Sequence, residues 1–339
     1  MKSSDYSSDD LRSWVDEDSP IPSEDLFETA RNVRKQYCGD KIYLRGLIEI
    51  SNHCSCSCLY CGLRKSNDHL TRYIMSPREI ADAARLVAEC GIKTVVMQSG
   101  ESLLISAELI EDSILAIKEL GDIAVTLSLG EREFTDYDRW LKAGADRYLL
   151  KHETANSHLY RKLHPGAFLE DRIEHLRYLK SSGFQTGTGN IIGIPGQSSD
   201  DIVDDILLCE ELEADMISIS PFMPSGNTPF AKVQPADADL TLRVIAAARI
   251  YLRDVHMPAT TALGTLMPKG REAGLHAGAN VVMPSFTPLK YKTEYLIYDN
   301  KICLNEEAKS CITCLDLTLA AAGYHISGER GDSPKLALR

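Results

Sequence analysis

The chain has 339 residues, 44% of them hydrophobic and 25% charged, with a formal net charge of −12. That length suits one α/β barrel with extensions, or two domains, and the apolar share is enough for a sizeable core. The acidic balance speaks against a nucleic-acid partner, whose footprint is basic. No apolar run reaches membrane-spanning length, which speaks against a membrane partner.

Residues 1–22 are acidic and polar, end in Pro-Ile-Pro, and read as a poorly packed lead-in without a signal-peptide core. Residues 23–37 carry the apolar spacing of an amphipathic helix, with Ser23 as its N-cap. A strand is expected at 42–50 (IYLRGLIEI), then a helix at 77–90 closed by Gly91. Further strands are expected at 94–100, 124–130, 147–153, 185–194, 216–222, 258–263 and 280–286. Helices are expected near 103–120, 134–143, 157–163, 169–182, 199–212, 237–254 and 270–276, with a last one at 312–322. Eight β-then-α units in series, with strands that are continuous apolar runs, predict an α/β fold: a closed (β/α)8 TIM barrel. The expected organisation is an N-terminal helical extension over 1–40, the barrel over 41–290 and a C-terminal segment over 291–339.

Polar residues gather at the strands' C-terminal ends: Gln98 and Ser99, Ser128, His152 and Glu153, Asn190, Ser220, Thr260 and Thr261, Ser285. In such a barrel that rim is where active sites are built. The run SNHCSCSCLYCGLR falls there, after the first strand. Its C-x3-C-x2-C spacing gives Cys54, Cys58 and Cys61 as ligands for three corners of a 4Fe–4S cluster, leaving one iron open to bind a substrate. Zinc with His53 as fourth ligand is the alternative, strained because His53 adjoins Cys54; Cys56 reads as a bystander. A second set, Cys303, Cys311 and Cys314, has C-x7-C-x2-C spacing and no evident fourth donor. It reads as an auxiliary iron–sulfur site (2Fe–2S or 4Fe–4S), with zinc or an empty site as alternatives. Ten cysteines without a secretory signal point to a reducing cytoplasm. Cys38, Cys90 and Cys209 stand alone, and the latter two read as small core residues.

Gly100 and Glu101 in QSGE form either a plain strand-to-helix turn, its acid favoured by the helix dipole, or a seat for the amino group of a sulfonium cofactor. Glu153 is expected to pair with Arg172, either structurally or as a cofactor clamp in which the guanidinium fork takes a carboxylate. GIPGQ, which contains Ile194, is a turn or a backbone edge for an adenine ring. The histidines, His152 and His164 included, form no H-x3-H pair and read as packed or surface residues. GTGNIIG matches a dinucleotide fingerprint only loosely, since its glycines lie within a strand.

IEISNHC, CLYCGLR, MQSGE, TLSLGE, DRYLLKHETAN, GIPGQ, PATTALGT and GREAGLHAGANVVMP, with the late cysteines, resemble the radical S-adenosylmethionine (SAM) enzymes of the biotin synthase branch. Within that branch they are similar to the HydE family of FeFe-hydrogenase maturases, over about residues 25–325. The resemblance implies that Cys54, Cys58 and Cys61 hold the cluster, and that SAM chelates the open iron and is cleaved to methionine and a 5′-deoxyadenosyl radical. It places Tyr60, Gly100, Glu101, Ser128, Glu153, Arg172 and Ile194 around SAM. It places Gln98, Thr126, Lys151, Thr260, Thr261, Met283 and Tyr298 around the substrate, with Tyr298 as a lid-packing residue in the alternative. Lys151 stands where an arginine is expected, which keeps the charge and loses the fork. The implied substrate is a small organometallic species with iron-bound cysteine, CO and cyanide. The implied partners are a reductant such as a ferredoxin or flavodoxin and other hydrogenase maturases. The alternatives are a methylornithine synthase-like mutase on the same scaffold and a non-catalytic iron–sulfur electron carrier.

Overall fold

The computed structural model describes residues 6–338 apart from residue 17. The chain opens with α1 (Ser8–Val15) and α2 (Ser23–Cys38). Residues 1–5 and 17 of the expected loose lead-in lie outside the described residues, and over the rest the expectation is corrected: Ser7 and Asp10 cap α1 reciprocally, and Leu11, Trp14 and Val15 are buried. Those three positions share one helical face, and that apolar stripe packs on the barrel despite the acidic residues around it. Arg243 clamps the segment by donating to the carbonyls of Trp14 and Ile21 at 3.0 and 2.9 Å. Ser23 is not the cap of α2; Pro22 takes that place, and the Ser23 hydroxyl instead donates to Asp239 at 3.2 Å.

The expected first strand is two, β1 (Ile42–Leu44) and β2 (Gly46–Ser51), broken at Arg45. Then follow α3 (Pro77–Glu89), β3 (Thr94–Ser99), α4 (Ala107–Lys118), β4 (Ala124–Ser128), α5 (Phe134–Ala143) and β5 (Arg147–Leu149). Two helices, α6 (Ser157–Leu163) and α7 (Leu169–Ser182), precede β6 (Gln185–Thr188) and β7 (Ile191–Ile192). Next come α8 (Ser199–Glu211), β8 (Met216–Ile217), β9 (Ser220–Pro221), α9 (Ala238–Leu252), α10 (Thr261–Leu266), α11 (Gly270–His276) and β10 (Val281–Val282). The chain ends with α12 (Leu289–Lys292), α13 (Ala308–Ala321), β11 (Ile326–Ser327) and a 3-10 turn at Pro334–Leu338.

Six parallel strands run in sequence order, β2-β3-β4-β5-β6-β8. Single parallel bridges close the ring, Met216 to His256, Pro258 to Val281 and Leu47 to Ser285. The backbone bonds are short, with Ile217 N–H donating to His256 O at 2.8 Å and Leu47 N–H to Pro284 O at 2.9 Å. The barrel is thus closed, as the eight β/α units predict. One expected strand fails: 258–263 is extended only at its start, because Thr260 caps α10 through its hydroxyl. The β6/β7 break sits at Gly189, where an added Cβ would lie 2.1 Å from the Ser218 carbonyl oxygen.

The aromatic core lies between sheet and outer helices, with Tyr137, Trp140 and Tyr148 fully buried. The bottom is closed by the returning C-terminus. There β11 pairs with β1, and Asp332 forms a 2.6 Å ion pair with buried Arg147. Among the described residues, no helix is long and apolar enough to cross a membrane.

Candidate active site at the barrel mouth

The cysteine loop leaves β2 at Asn52 and is held from both ends. Asn52 donates to the carbonyls of Thr71 and Glu294 at 2.9 and 2.8 Å and accepts from Tyr73 N–H. Arg72 donates to the carbonyls of Asn52, Leu63, Arg64 and Asn67, so one guanidinium ties the loop's entry to its exit. In between, Ser55 N–H donates to Glu101 O at 2.7 Å and Leu59 N–H to Leu163 O at 2.9 Å. Gly100 permits this approach, since a Cβ there would lie 2.4 Å from the His53 carbonyl oxygen and 2.7 Å from Cys54 Cβ.

On this frame the thiols of Cys54, Cys56 and Cys58 adjoin in series. Cys58 Sγ lies 3.1 Å from His164 Nδ1, and Cys56 Sγ donates to Glu101 Oε1 at 3.1 Å. Cys56 and His164, both expected as bystanders, are therefore neighbours of the set. Burial pushes the Cys61 thiol up to about 12; the bond to the Cys56 thiol, then burial, pushes Cys54 up as well. Thiols held this way stay protonated at neutral pH until a metal centre displaces the proton. Among the described residues, the trio of donors gathered within 4.8 Å is Cys303, Glu306 and Cys311, not Cys54, Cys58 and Cys61. Three cysteine thiols on one loop beside the cavity supply the donor type that a 4Fe–4S cluster takes.

Inside the ring, a cavity of about 300 Å3 opens beside the loop. It is lined by Cys54, Tyr60, Cys61, Gln98, Gly100, Ser128, Lys151, Glu153, Thr260, Thr261, Met283 and Tyr298 among the expected residues. Thr260 accepts from Leu263 N–H and Thr261 from Arg271, so each hydroxyl keeps its proton free to donate. Tyr60 is held by an edge-to-face contact with His164 at 5.8 Å.

Several expected residues lie elsewhere. Thr126 is buried in β4 with no partner for its hydroxyl. Ile194 packs in a small core with Leu159, Leu163 and Phe222, and its N–H is already donated to Gln197 Oε1 at 3.2 Å. Glu101 and Arg172 do not line this cavity. The expected Glu153–Arg172 pair is corrected: Arg172 bridges Glu131 at 2.6 Å and Glu101 at 3.3 Å, and Glu153 pairs with Lys151 at 3.1 Å. Lys151 and Glu153 lie past the end of β5, two residues apart, and the left-handed turn at Glu153 leaves the two side chains in contact. Burial would raise the Glu153 carboxyl, but Lys151, His164 and Arg172 outweigh it and hold the group below the usual range. Glu153 sits in the left-handed region at φ 65°, and its Oε2 has no aligned hydrogen-bond donor. A buried, ionised carboxylate on a cavity wall, with lone pairs beyond those facing Lys151, fits an ammonium or hydroxyl ligand group.

Three residues escaped the sequence reading. Glu49, 1% exposed, sits in one barrel layer with Gln98 and Ser128, is ion-paired with Lys301, and accepts from Thr287. The signal for Glu49 is a carboxylate inside an otherwise apolar strand; Lys301 had none. Asp205, fully buried on α8, accepts from Ala155 N–H, from Asn190 at 3.0 Å and from Gln197 at 3.4 Å. It joins the turn after Glu153 to GIPGQ, and its signal is an acid on the helix face that carries Ile202 and Ile206.

The late cysteines lie beyond this cavity. Cys311 and Cys314 both fall within α13, and Cys303 precedes it. The Cys303 thiol is pulled down by the hydrogen bond from Cys311 and by Arg271.

The radical SAM superfamily matches residues 48–209. The FeFe hydrogenase maturase subunit HydE of Thermotoga maritima is 48% identical over 86% of this chain and 84% of that protein. The 3-methylornithine synthase of Methanosarcina acetivorans is 26% identical over 85% of this chain and 83% of that one. Among solved structures, methylornithine synthase (PylB) superposes with a TM-score of 0.80 at 22% identity, covering 95% of this chain and 94% of that one. The chain belongs to the radical SAM superfamily of enzymes, in the family of HydE, and membership implies a 4Fe–4S cluster and SAM.

Proposed function

We propose, with that membership as premise, that the chain is a HydE-type maturase serving assembly of the FeFe-hydrogenase diiron subcluster, with an iron–cysteine–CO–cyanide precursor as substrate. Cys54, Cys58 and Cys61 hold the cluster. When bound, cluster and SAM supply a one-electron cleavage of a carbon–sulfur bond, giving methionine and a 5′-deoxyadenosyl radical. The chain's own residues bind, orient and exclude water. Glu153 takes the ammonium or ribose hydroxyls of SAM, and Lys151 supplies the cation beside it. Gly100 and Ser128 line the same wall, Tyr60 and Ile194 pack behind it, and Arg172 with Glu101 braces the rim. Gln98, Thr260, Thr261, Met283 and Tyr298 shape the substrate side, while Thr126, buried behind the wall, does not reach it.

The observation that carries the reading is the cavity at the barrel mouth onto which Cys54 and Cys61 open, with one Lys–Glu pair at each of two walls. At about 300 Å3 it is at the small end of ligand pockets, which favours a small molecule over a peptide or protein substrate. Paired charges complement zwitterions: one pair suits the methionine end of SAM, and the other the amino-acid end of an iron-bound cysteine. The late set, Cys303, Cys311 and Cys314, holds a second iron–sulfur centre. A ferredoxin- or flavodoxin-type donor supplies electrons, other maturases share the pathway, and the compartment is the reducing cytoplasm.

The test is a hydrogenase maturation mixture complete except for this chain. Adding the loaded protein is expected to restore hydrogen production. SAM cleavage without restored hydrogen production would assign another small-molecule substrate.

A further inference from the structure

Three thiolates leave the late set one donor short, and the fold places a fourth beside them. Glu306 is an exposed residue in the loop between Cys303 and α13, and its carboxylate oxygen, Cys303 Sγ and Cys311 Sγ all lie within 4.8 Å of one another. Cys311 is buried, and Cys314 lies one turn along the same helix face. Cys314 lines one cavity of about 190 Å3 together with Cys303, Glu306 and Cys311.

The loop is shaped for this convergence. Cys303 adopts the left-handed region at φ 64°, which folds the chain back toward α13. Buried Lys292 donates to the Glu306 carbonyl oxygen at 2.7 Å, so the backbone is pinned while the carboxylate stays free to turn. Among the described residues Glu306 has no ion-pair partner. The nearby cation, Arg271, lies 3.9 Å from Cys303 Sγ and lines the same cavity, and among the described residues the Glu306 carboxylate is left with oxygens to offer a ligand there.

We propose that Glu306 is the fourth donor of the late site, closing it with Cys303, Cys311 and Cys314 as an S3O set. This rests on the reading that the late cysteines hold a metal centre. A closed set differs in kind from the first loop. Three donors there leave a position for a ligand, whereas four here leave none, so the late centre carries electrons or braces α13 and does not bind substrate.

The test uses the full chain with Cys54, Cys58 and Cys61 all changed to Ser, so that only the late site can load. After anoxic reconstitution with iron and sulfide, this protein is expected to retain an iron–sulfur chromophore. In the same background Glu306→Ala is expected to shift the EPR of the reduced centre and to lose iron to a chelator at least about 10-fold faster, while Glu306→Cys restores retention with a more thiolate-rich absorption. Cobalt(II) alone in the desulfided protein is expected to give intense tetrahedral bands that weaken on Glu306→Ala. A loaded site with the same EPR, cobalt bands and chelator resistance in Glu306→Ala would overturn the role of Glu306 and leave the metal site standing. A protein that retains neither iron nor cobalt would overturn the metal site itself, and the proposal with it. Glu306 is exposed and its backbone bond survives these changes, so a folding failure does not confound the readout.

Discussion

Gly100→Ala isolates the placement of the cysteine loop from its chemistry, because no ligand or charge is changed. The added methyl would meet the His53 carbonyl oxygen at 2.4 Å and Cys54 Cβ at 2.7 Å. Both obstacles belong to the main chain or to the atom beside it, so no flexible side-chain end can give way. Restoring an ordinary contact of 3.4 Å moves the loop at Cys54 by about 1 Å. Overpacking of this kind costs about 1–3 kcal/mol, partly offset by about 0.4–1 kcal/mol from a stiffer unfolded chain. The net loss of about 1–2 kcal/mol is small beside a total stability of about 5–15 kcal/mol, so the barrel survives. Chemistry is more sensitive, since a 1 Å misplacement costs about 100-fold in rate. The assay compares melting temperature, iron content and 5′-deoxyadenosine formation with dithionite and SAM. Gly91→Ala is the control: its φ of 74° strains an alanine, yet nothing lies within 4 Å of the new Cβ. It is expected to lose comparable stability and keep its cleavage rate. Gly100→Ala cleaving SAM within about twofold of the native rate would refute the argument that this close approach positions the loop.

Cys58→Ser removes one of the three expected ligands and is expected to abolish 5′-deoxyadenosine formation, by at least about 100-fold; product at the native rate would withdraw the ligand assignment. Asp205→Asn is read through pH. Burial raises Asp205 from 3.8 to about 8, so its neutral form favours the fold; that stability is complete below the unfolded value and is lost as pH rises through about 8. The native chain should therefore lose stability across neutral pH by up to about 1.4 kcal/mol per unit, a slope the Asn variant lacks. Parallel denaturation midpoints for the two proteins across that range would sink the assignment.

The barrel and its cysteine loop were legible because both rest on local pattern. Helices α5, α6, α7 and α11 begin and end where the apolar spacing and the flanking Gly and Asn say. The misses share a physical cause: a competing local signal. In α1 an acidic composition masked three apolar positions on one face, and in PATTAL β-branched threonines suggested a strand where Thr260 is a helix cap. The seventh strand is joined to its neighbours by single bridges and β10 pairs over only two residues with β1, so no long apolar alternation marks their ends.

Charge pairing was the least readable layer, and the reason lies in sequence distance. Lys151 and Glu153 are two residues apart but meet through the left-handed turn at Glu153, which apolar spacing does not reveal, and the fork chemistry of Arg172 drew the pairing elsewhere. Glu49 and Lys301 come from opposite ends of the chain and meet only because the segment after β10 folds back over the mouth. A buried carboxylate still announces its need, since an unpaired charge in that strand would cost several kcal/mol. Glu49 in LIEIS therefore required a cation from somewhere. A strand that is apolar on both faces except for one acid predicts a partner even when it cannot say which residue answers. Glu306 is a different case: it is exposed, so burial makes no demand on it, and only its convergence with Cys303 and Cys311 within 4.8 Å points to a shared ligand.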